Sequence, residues 1–385
     1  MTEDMIVSLA KETVALVRAA FDGQGEAPSD ESLRAVYTFA KKYDLVHLCA
    51  VGLRRLGKTG GGEVFDLFQK AELMALFRYE RLHYEYERIS ALFQEAQIEY
   101  IPLKGTVMRS YYPEPWYRTS CDIDILVREN MLLKAAQVLR ENGYTVGEKG
   151  AHDVSCYSES GIHIELHYCL THSKADRDPV LSRVFDVAIP VCGKPYELAM
   201  PLAYFYYHHI NHMMRHFSNG GGGVRPYLDL HLFLQKEELD REMANALLRE
   251  GGAERFAAEA EALAELWFGE GEPTEITAMT ERFLFVSGGL YSNMKSRTLV
   301  GQVKRGGKMR QLMSRVFMPY HDLAASYPSL RKAPFLFPLY QVRRWCKFIF
   351  CGGYRRSKKE IALNMAVSDA DLAETAKLLK ALGME

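Results

Sequence analysis

The sequence predicts an α/β core with helical domains on both sides, and three observations carry that prediction. Segments of period-two character are confined to residues 98–168. Apolar residues recur at helical spacing before residue 97 and again after Pro201. Within the core, "CDIDILV" (121–127) sets Asp122 and Asp124 on one side of a strand whose other side is Ile123, Ile125 and Val127.

Residues 1–97 read as helical throughout. Leu45, Leu48, Cys49, Gly52 and Leu56 recur at helical spacing, with Asp44 as a candidate cap and Gly57 as a stop after Arg54 and Arg55. A long helix is predicted from about 63 to 97. Residues 52–59, "GLRRLGKT", match the P-loop pattern G-x-x-x-x-G-K-[ST]. That chemistry needs small residues whose backbone N–H groups wrap a phosphate, then a helix beginning at the Lys-Thr. Here Leu-Arg-Arg-Leu fills the variable positions, and Gly60, Gly61 and Gly62 follow Thr59 where the helix should start. A helix end with a glycine stop is the better reading, and a P-loop NTPase using Gly52–Thr59 is the lesser alternative.

Strands are predicted at "IEYIPL" (98–103), "CDIDILV" (121–127), "YTVG" (144–147), "DVSCYS" (153–158) and "IHIELHY" (162–168), with a helix near 129–142. After Pro201 helices return, interrupted by "SNGGGG" (218–223), a flexible loop by composition. The division is an N-terminal helical domain (1–97), the core (98–195), a helical domain (196–294) and a basic helical segment (295–385).

With 385 residues, 48% of them hydrophobic, the chain can bury a substantial core. A formal net charge of -1 removes any whole-molecule electrostatic case for nucleic acid. Charge is uneven, however: between Lys295 and Lys359 the single acidic residue is Asp322. A helical pair whose basic face is solvated or packs on the acidic remainder is the preferred reading. Nucleic acid, an anionic membrane surface and a phosphorylated acceptor are the alternatives. Seven scattered cysteines without a Cys-x-x-Cys pair read as reduced thiols. The acidic start does not read as a signal peptide and no stretch reads as a membrane span, so the expected location is the cytoplasm.

Two adjacent carboxylates on one strand face repel, and a bound divalent ion reverses that repulsion. "IHIELHY" supplies a third. Ile162, Ile164 and Leu166 alternate with His163, Glu165 and His167. If the two strands are neighbours, Asp122, Asp124 and Glu165 converge on one surface suited to two hard cations. Upstream, "IPLKGT" places Gly105 where a strand meets a candidate helix, with Lys104 and Thr106 adding a charge and a hydroxyl. This turn is expected to seat a triphosphate.

The order strand-Gly-[Ser/Thr], hydrophobic-Asp-x-Asp-hydrophobic, then hydrophobic-[Asp/Glu]-hydrophobic resembles the DNA polymerase beta-like nucleotidyltransferase superfamily. More narrowly, "LKG", "R-x-x-x-D-I-D-I-L-V" and "E-L-H" are similar to a bacterial family of uncharacterised nucleotidyltransferases. The resemblance implies a mixed-sheet core that transfers a nucleoside monophosphate from an NTP to a hydroxyl or phosphate acceptor and releases pyrophosphate. It makes Asp122 and Asp124 ligands of two Mg²⁺ ions, with Mn²⁺ as the alternative. Glu165 becomes the ligand of the catalytic metal and a base for the acceptor, and Gly105 with Thr106 the phosphate-binding turn. Lys104 and Arg118 lie on the triphosphate. The rival implication is an inactive nucleotide-sensing or partner-binding module.

Lys104 and Arg118 flank a segment whose Pro113 and Pro115 interrupt helix, so that a loop over the site is expected to swing Arg118 onto the phosphates. His208, His212 and His216 share one helical face, but three imidazoles this far along one helix cannot reach one ion. The reading is a polar face on the acceptor side of the cleft or hydrogen-bonded in the core, as for His163 and His167. Asp229 in "RPYLDL" is expected to orient one of these histidines or Arg225.

Overall fold

The computed structural model describes residues 2–171, 178–287, 294–320, 323–324, 327–350 and 361–385. The chain forms two compact units, Met1–Met213 with Val224–Pro273, and Met214–Gly223 with Thr274–Glu385.

The first unit opens with α1 (Glu3–Asp22), α2 (Asp30–Lys42), α3 (Val46–Arg55) and α4 (Glu63–Glu95). Thr2 and Ser29 cap α1 and α2 by accepting from the amides of Met5 and Ser32. Gly52 lies where α3 packs on α1, and a Cβ there would stand 2.1 Å from the Leu16 carbonyl oxygen. This corrects the P-loop alternative. Gly52–Arg55 is helix, Lys58 pairs with Asp30 at 2.7 Å, and helix resumes only at Glu63. Asp44 is not a cap either: it has φ 56°, and α3 starts after Leu45 without a side-chain cap.

A seven-stranded mixed sheet follows, in the order β3-β4-β5-β2-β1-β7-β6. Its strands are β1 (Tyr100–Pro102), β2 (Asp122–Val127), β3 (Thr145–Lys149), β4 (Asp153–Tyr157), β5 (His163–His167), β6 (Ile189–Val191) and β7 (Lys194–Ala199). The first five match the predicted strands. β6 escapes a period-two reading because it is three residues long, carries Pro190 and lies at the sheet edge, and β7, between β6 and β1, because Pro195 stands near its start and its burial does not alternate. β2 runs parallel to β5 and antiparallel to β1.

Helix α5 (Gly105–Met108) follows β1, and α6 (Leu132–Glu141) follows β2. Leu82, Ile89 and Phe93 of α4 and Ala135 and Leu139 of α6 pack on Ile123, Ile125, Ile164 and Leu166. Burying each large aliphatic contributes roughly 1.5–3 kcal/mol. The apolar side of β2 and β5 therefore faces these helices, and the opposite side carries Asp122, Asp124, His163, Glu165 and His167. The unit is completed by α7 (Val184–Val187), most of α8 (Leu202–Ser218), α9 (Arg225–Leu234), α10 (Arg241–Glu250) and α11 (Glu254–Phe268).

In the second unit lie α12 (Glu275–Arg282), α13 (Met294–Arg305), α14 (Lys308–Val316), α15 (Phe337–Phe350) and α16 (Asp369–Ala381). Gln302 of α13 donates to the Asn364 backbone and side-chain oxygens, both at 2.8 Å. The glycine run expected to be a flexible loop is packed: at Gly220, φ 72°, a Cβ would stand 2.3 Å from the Arg297 amide. Part of the basic segment, with Asp322, lies outside the described residues. Among those described, no helix is long and apolar enough to cross a membrane.

Candidate active site

Parallel pairing sets Asp122 opposite His163 and Asp124 opposite Glu165. Alternation then gathers all four side chains, with His167, on the face away from the core. Lys104 reaches this face from the end of β1, with φ 43° in the region that favours glycine. Its Nζ donates to Asp124 Oδ1 at 2.6 Å and lies 3.9 Å from Glu165. His167 Nε2 donates to the same Asp124 oxygen at 2.9 Å and lies 3.3 Å from Glu165.

The two aspartates are not equivalent. Burial opposes ionisation of Asp124, but Lys104 and His167 hold its carboxyl well below the usual carboxylate range. Asp122 moves the other way, raised by burial and by the neighbouring Asp124 charge. Burial disfavours the Lys104 cation, yet Asp124 keeps its pKa above the ordinary lysine value. His167 is likewise raised: burial works against its charge, and hydrogen bonds to Asp124 and Glu165 prevail.

Asp122, His163 and Glu165 offer ligand atoms lying within 4.8 Å of one another, as do Asp124, Glu165 and His167. His163 Nε2 is buried without a hydrogen-bond partner, and its ring stacks at 4.9 Å on Tyr157. Three carboxylates and one orphaned imidazole nitrogen, opposed by a single lysine cation, form a donor set that fits a divalent cation.

Behind Lys104 the chain turns at Gly105, where a Cβ would stand 3.2 Å from Ser120 Cβ and 3.5 Å from Arg118 Nη1. Arg109 donates through Nη2 to Ser120 Oγ and through Nε to the Arg118 carbonyl at 3.4 Å. Arg118 is buried against Asp229: Nε is 2.8 Å from Oδ1 and Nη2 2.9 Å from Oδ2, while Nη1 donates to the Thr119 carbonyl. Tyr112 Oη donates to Asp229 as well, at 2.7 Å. Arg225 donates to the Thr119 carbonyl at 2.9 Å and meets Asp44 at 3.4 Å, and Asp44 also takes Arg78.

Two expectations are corrected here. Asp229 bonds Arg118 and Tyr112, not Arg225 or a histidine, although His209 is near enough to feel its charge. Every guanidinium nitrogen of Arg118 is engaged, so the swinging clamp is replaced by a fixed brace under the Gly105 turn. The 109–120 loop is anchored elsewhere too, with Tyr112 and Tyr117 edge-on to Phe21 and His47 Nε2 2.9 Å from the Tyr117 carbonyl.

On α8, His208 is buried and stacks between Phe205 and His212, while His209 bonds the Pro226 carbonyl. Neither His208, His212 nor His216 belongs to a metal-capable group among the described residues. Sequence reasoning missed Ser120, Thr119 and Asp44. Asp44 carries one signal, a lone acid just before an apolar helix, but that signal points to a cap.

A family model described as "Uncharacterised nucleotidyltransferase" matches residues 29–269. The chain belongs to this family. Comparisons with curated proteins and with solved structures gave no match. The matched span begins at α2, contains the whole sheet and ends with α11, so membership covers both the carboxylate face and the Asp229 that braces Arg118. Family membership supports nucleotidyl transfer as the general activity, with an NTP as substrate.

Proposed function

We propose that the chain transfers a nucleoside monophosphate from an NTP to a hydroxyl or phosphate acceptor, releasing pyrophosphate, at the carboxylate-bearing face of β2 and β5. The observation that carries this is the in-register pairing of Asp124 with Glu165 and Asp122 with His163. Asp122, Asp124 and Glu165 would hold two divalent cations, Mg²⁺ or Mn²⁺, with His163 as an added nitrogen donor on the Asp122 side. Such cations, when bound, neutralise charge on the attacking and leaving oxygens of an in-line displacement.

The chain's own residues do the rest. Gly105 and Thr106 form the phosphate turn, and Arg118 and Arg109 fix its shape from behind. Lys104, a flexible point charge between Asp124 and Glu165, is placed to contact the triphosphate once cations satisfy those carboxylates. The acceptor oxygen attacks the α-phosphorus, the bond to pyrophosphate breaks, and a hydroxyl acceptor's proton passes to Glu165.

Incubation with radiolabelled NTP, Mg²⁺ and a metabolite extract tests this reading. Pyrophosphate release with a labelled acceptor is expected. Free phosphate would identify a hydrolase instead, and nucleotide binding without turnover a sensing module.

A further inference from the structure

The second unit presents a surface made of none of the residues assigned above to the transfer reaction. In α14, Gln311 is buried, and its Nε2 lies 2.5 Å from where a Cβ on Gly301 would be, so this side of the helix faces α13. Met309, Met313, Val316 and Phe317 fall at i, i+4, i+7 and i+8, one helical face, and all are exposed, Met309 to 67%. A helix of a globular protein ordinarily turns such a stripe inward. Here the polar residue faces in and the apolar stripe faces out.

The same inversion recurs next door. Phe335, just before α15, and Leu339 and Val342 within it stand at i, i+4 and i+7, exposed to 81%, 61% and 47%. The two stripes are joined, because Trp345 donates to the Val316 carbonyl at 2.8 Å and packs edge-on against Phe317 at 5.5 Å. Single exposed apolar residues need no explanation, but two joined periodic stripes do.

We propose that this surface docks on an anionic lipid membrane. Charge decides the occupant. Among the described residues from 294 to 350 there is no aspartate or glutamate, while Arg310, Lys332, Arg343 and Lys347 are exposed beside the stripes. A second copy of the chain would bring the same cations against these. A nucleic acid would satisfy the cations and leave the methionine, phenylalanine and leucine side chains unrewarded. An anionic bilayer meets both needs, since headgroups take the cations and the acyl boundary takes the apolar side chains. With no described helix able to span the bilayer, the association is peripheral.

Sedimentation of the full chain with vesicles of neutral phosphatidylcholine, and with vesicles also containing phosphatidylserine, tests the proposal. Affinity for the anionic vesicles should exceed that for the neutral ones by at least about tenfold and weaken as salt rises. Phe335→Ser with Leu339→Ser, and separately Met309→Ser with Met313→Ser, should each lower it severalfold at unchanged melting temperature, because these side chains are already in water. Lys332→Glu with Lys347→Glu should do the same. Equal partition onto both vesicle types, or none, overturns the proposal. So does duplex DNA or RNA binding that survives Phe335→Ser, or a dimer that this variant dissolves.

Discussion

The two sides of the candidate active site have opposite electrostatic problems. On the sheet face, Asp122, Asp124 and Glu165 share one lysine, Lys104, and the imidazole of His167. Around the Gly105 turn, Arg118 takes Asp229, Arg225 shares Asp44 with Arg78, and Arg109 bonds the neutral Ser120 and the Arg118 carbonyl. One region is short of cations and the other of anions. The pKa directions agree: Asp122 is raised, while Arg109 is brought down to about 10 by burial and by the neighbouring Arg118. A metal-nucleotide carries both missing charges. That contrast, more than any single residue, is the physical argument for a nucleotide between the two regions.

The largest expected effect comes from removing a charge on the sheet face. Asp122→Asn and Asp124→Asn should each reduce pyrophosphate release by roughly a hundredfold or more. Their stabilities should diverge. Asp122→Asn removes a poorly neutralised charge and should raise the melting temperature of the metal-free protein. Asp124→Asn removes the negative charge that Lys104 and His167 share and should lower it. Equal shifts in both variants would show that the aspartates are equivalent after all.

On the other side, Arg118→Ala takes from the buried Asp229 its paired cation and leaves it the Tyr112 hydroxyl, a loss of about 3–5 kcal/mol. Urea denaturation should show it, together with weakened NTP affinity as the Gly105 turn loses its brace. Combining Arg118→Ala with Asp229→Ala should cost less than the sum of the two. Additive losses would remove the pair from the account.

His47 reports on the cation-rich region through pH. Burial, with Arg225 and Arg78 adding to it, brings its pKa from 6.5 down to about 4. Between those values the unfolded chain binds the proton that the folded chain refuses. Stability is therefore fully present above the ordinary value and falls as pH drops from about 6.5 to 4. The contribution is at most about 3 kcal/mol. Denaturation at pH 7 and pH 5 should show the decline, and His47→Gln should flatten it.

His163→Ala should weaken Mn²⁺ binding about tenfold, with a smaller loss for Mg²⁺, which prefers oxygen. Calorimetry with each ion measures the difference, and nitrogen coupling in the Mn²⁺ spin-echo spectrum should vanish with the imidazole. Smallest of all, Lys58→Ala should leave turnover untouched, because its exposed partner Asp30 belongs to a helix end and not to a phosphate site.

Much of this was legible in the chain. Strand alternation is a local property, so "CDIDILV" and "IHIELHY" by themselves determined which side chains share a face, and Gly105 marked a turn that a larger residue would crowd. The N-terminal helices, the first five strands and the weakness of the P-loop match were readable for the same reason: each depends on neighbours a few residues away. What only the tertiary structure decided is everything that depends on distant partners. It brought β5 beside β2 in the register that sets Asp124 against Glu165, although α6, β3 and β4 lie between them in sequence. It gave Asp229 to Arg118 across 111 residues, turning an expected clamp into a brace. It also made two identical aspartates unlike, because a carboxylate's charge state follows the cations that surround it in space, and no spacing along the chain records which carboxylate the Lys104 side chain will reach.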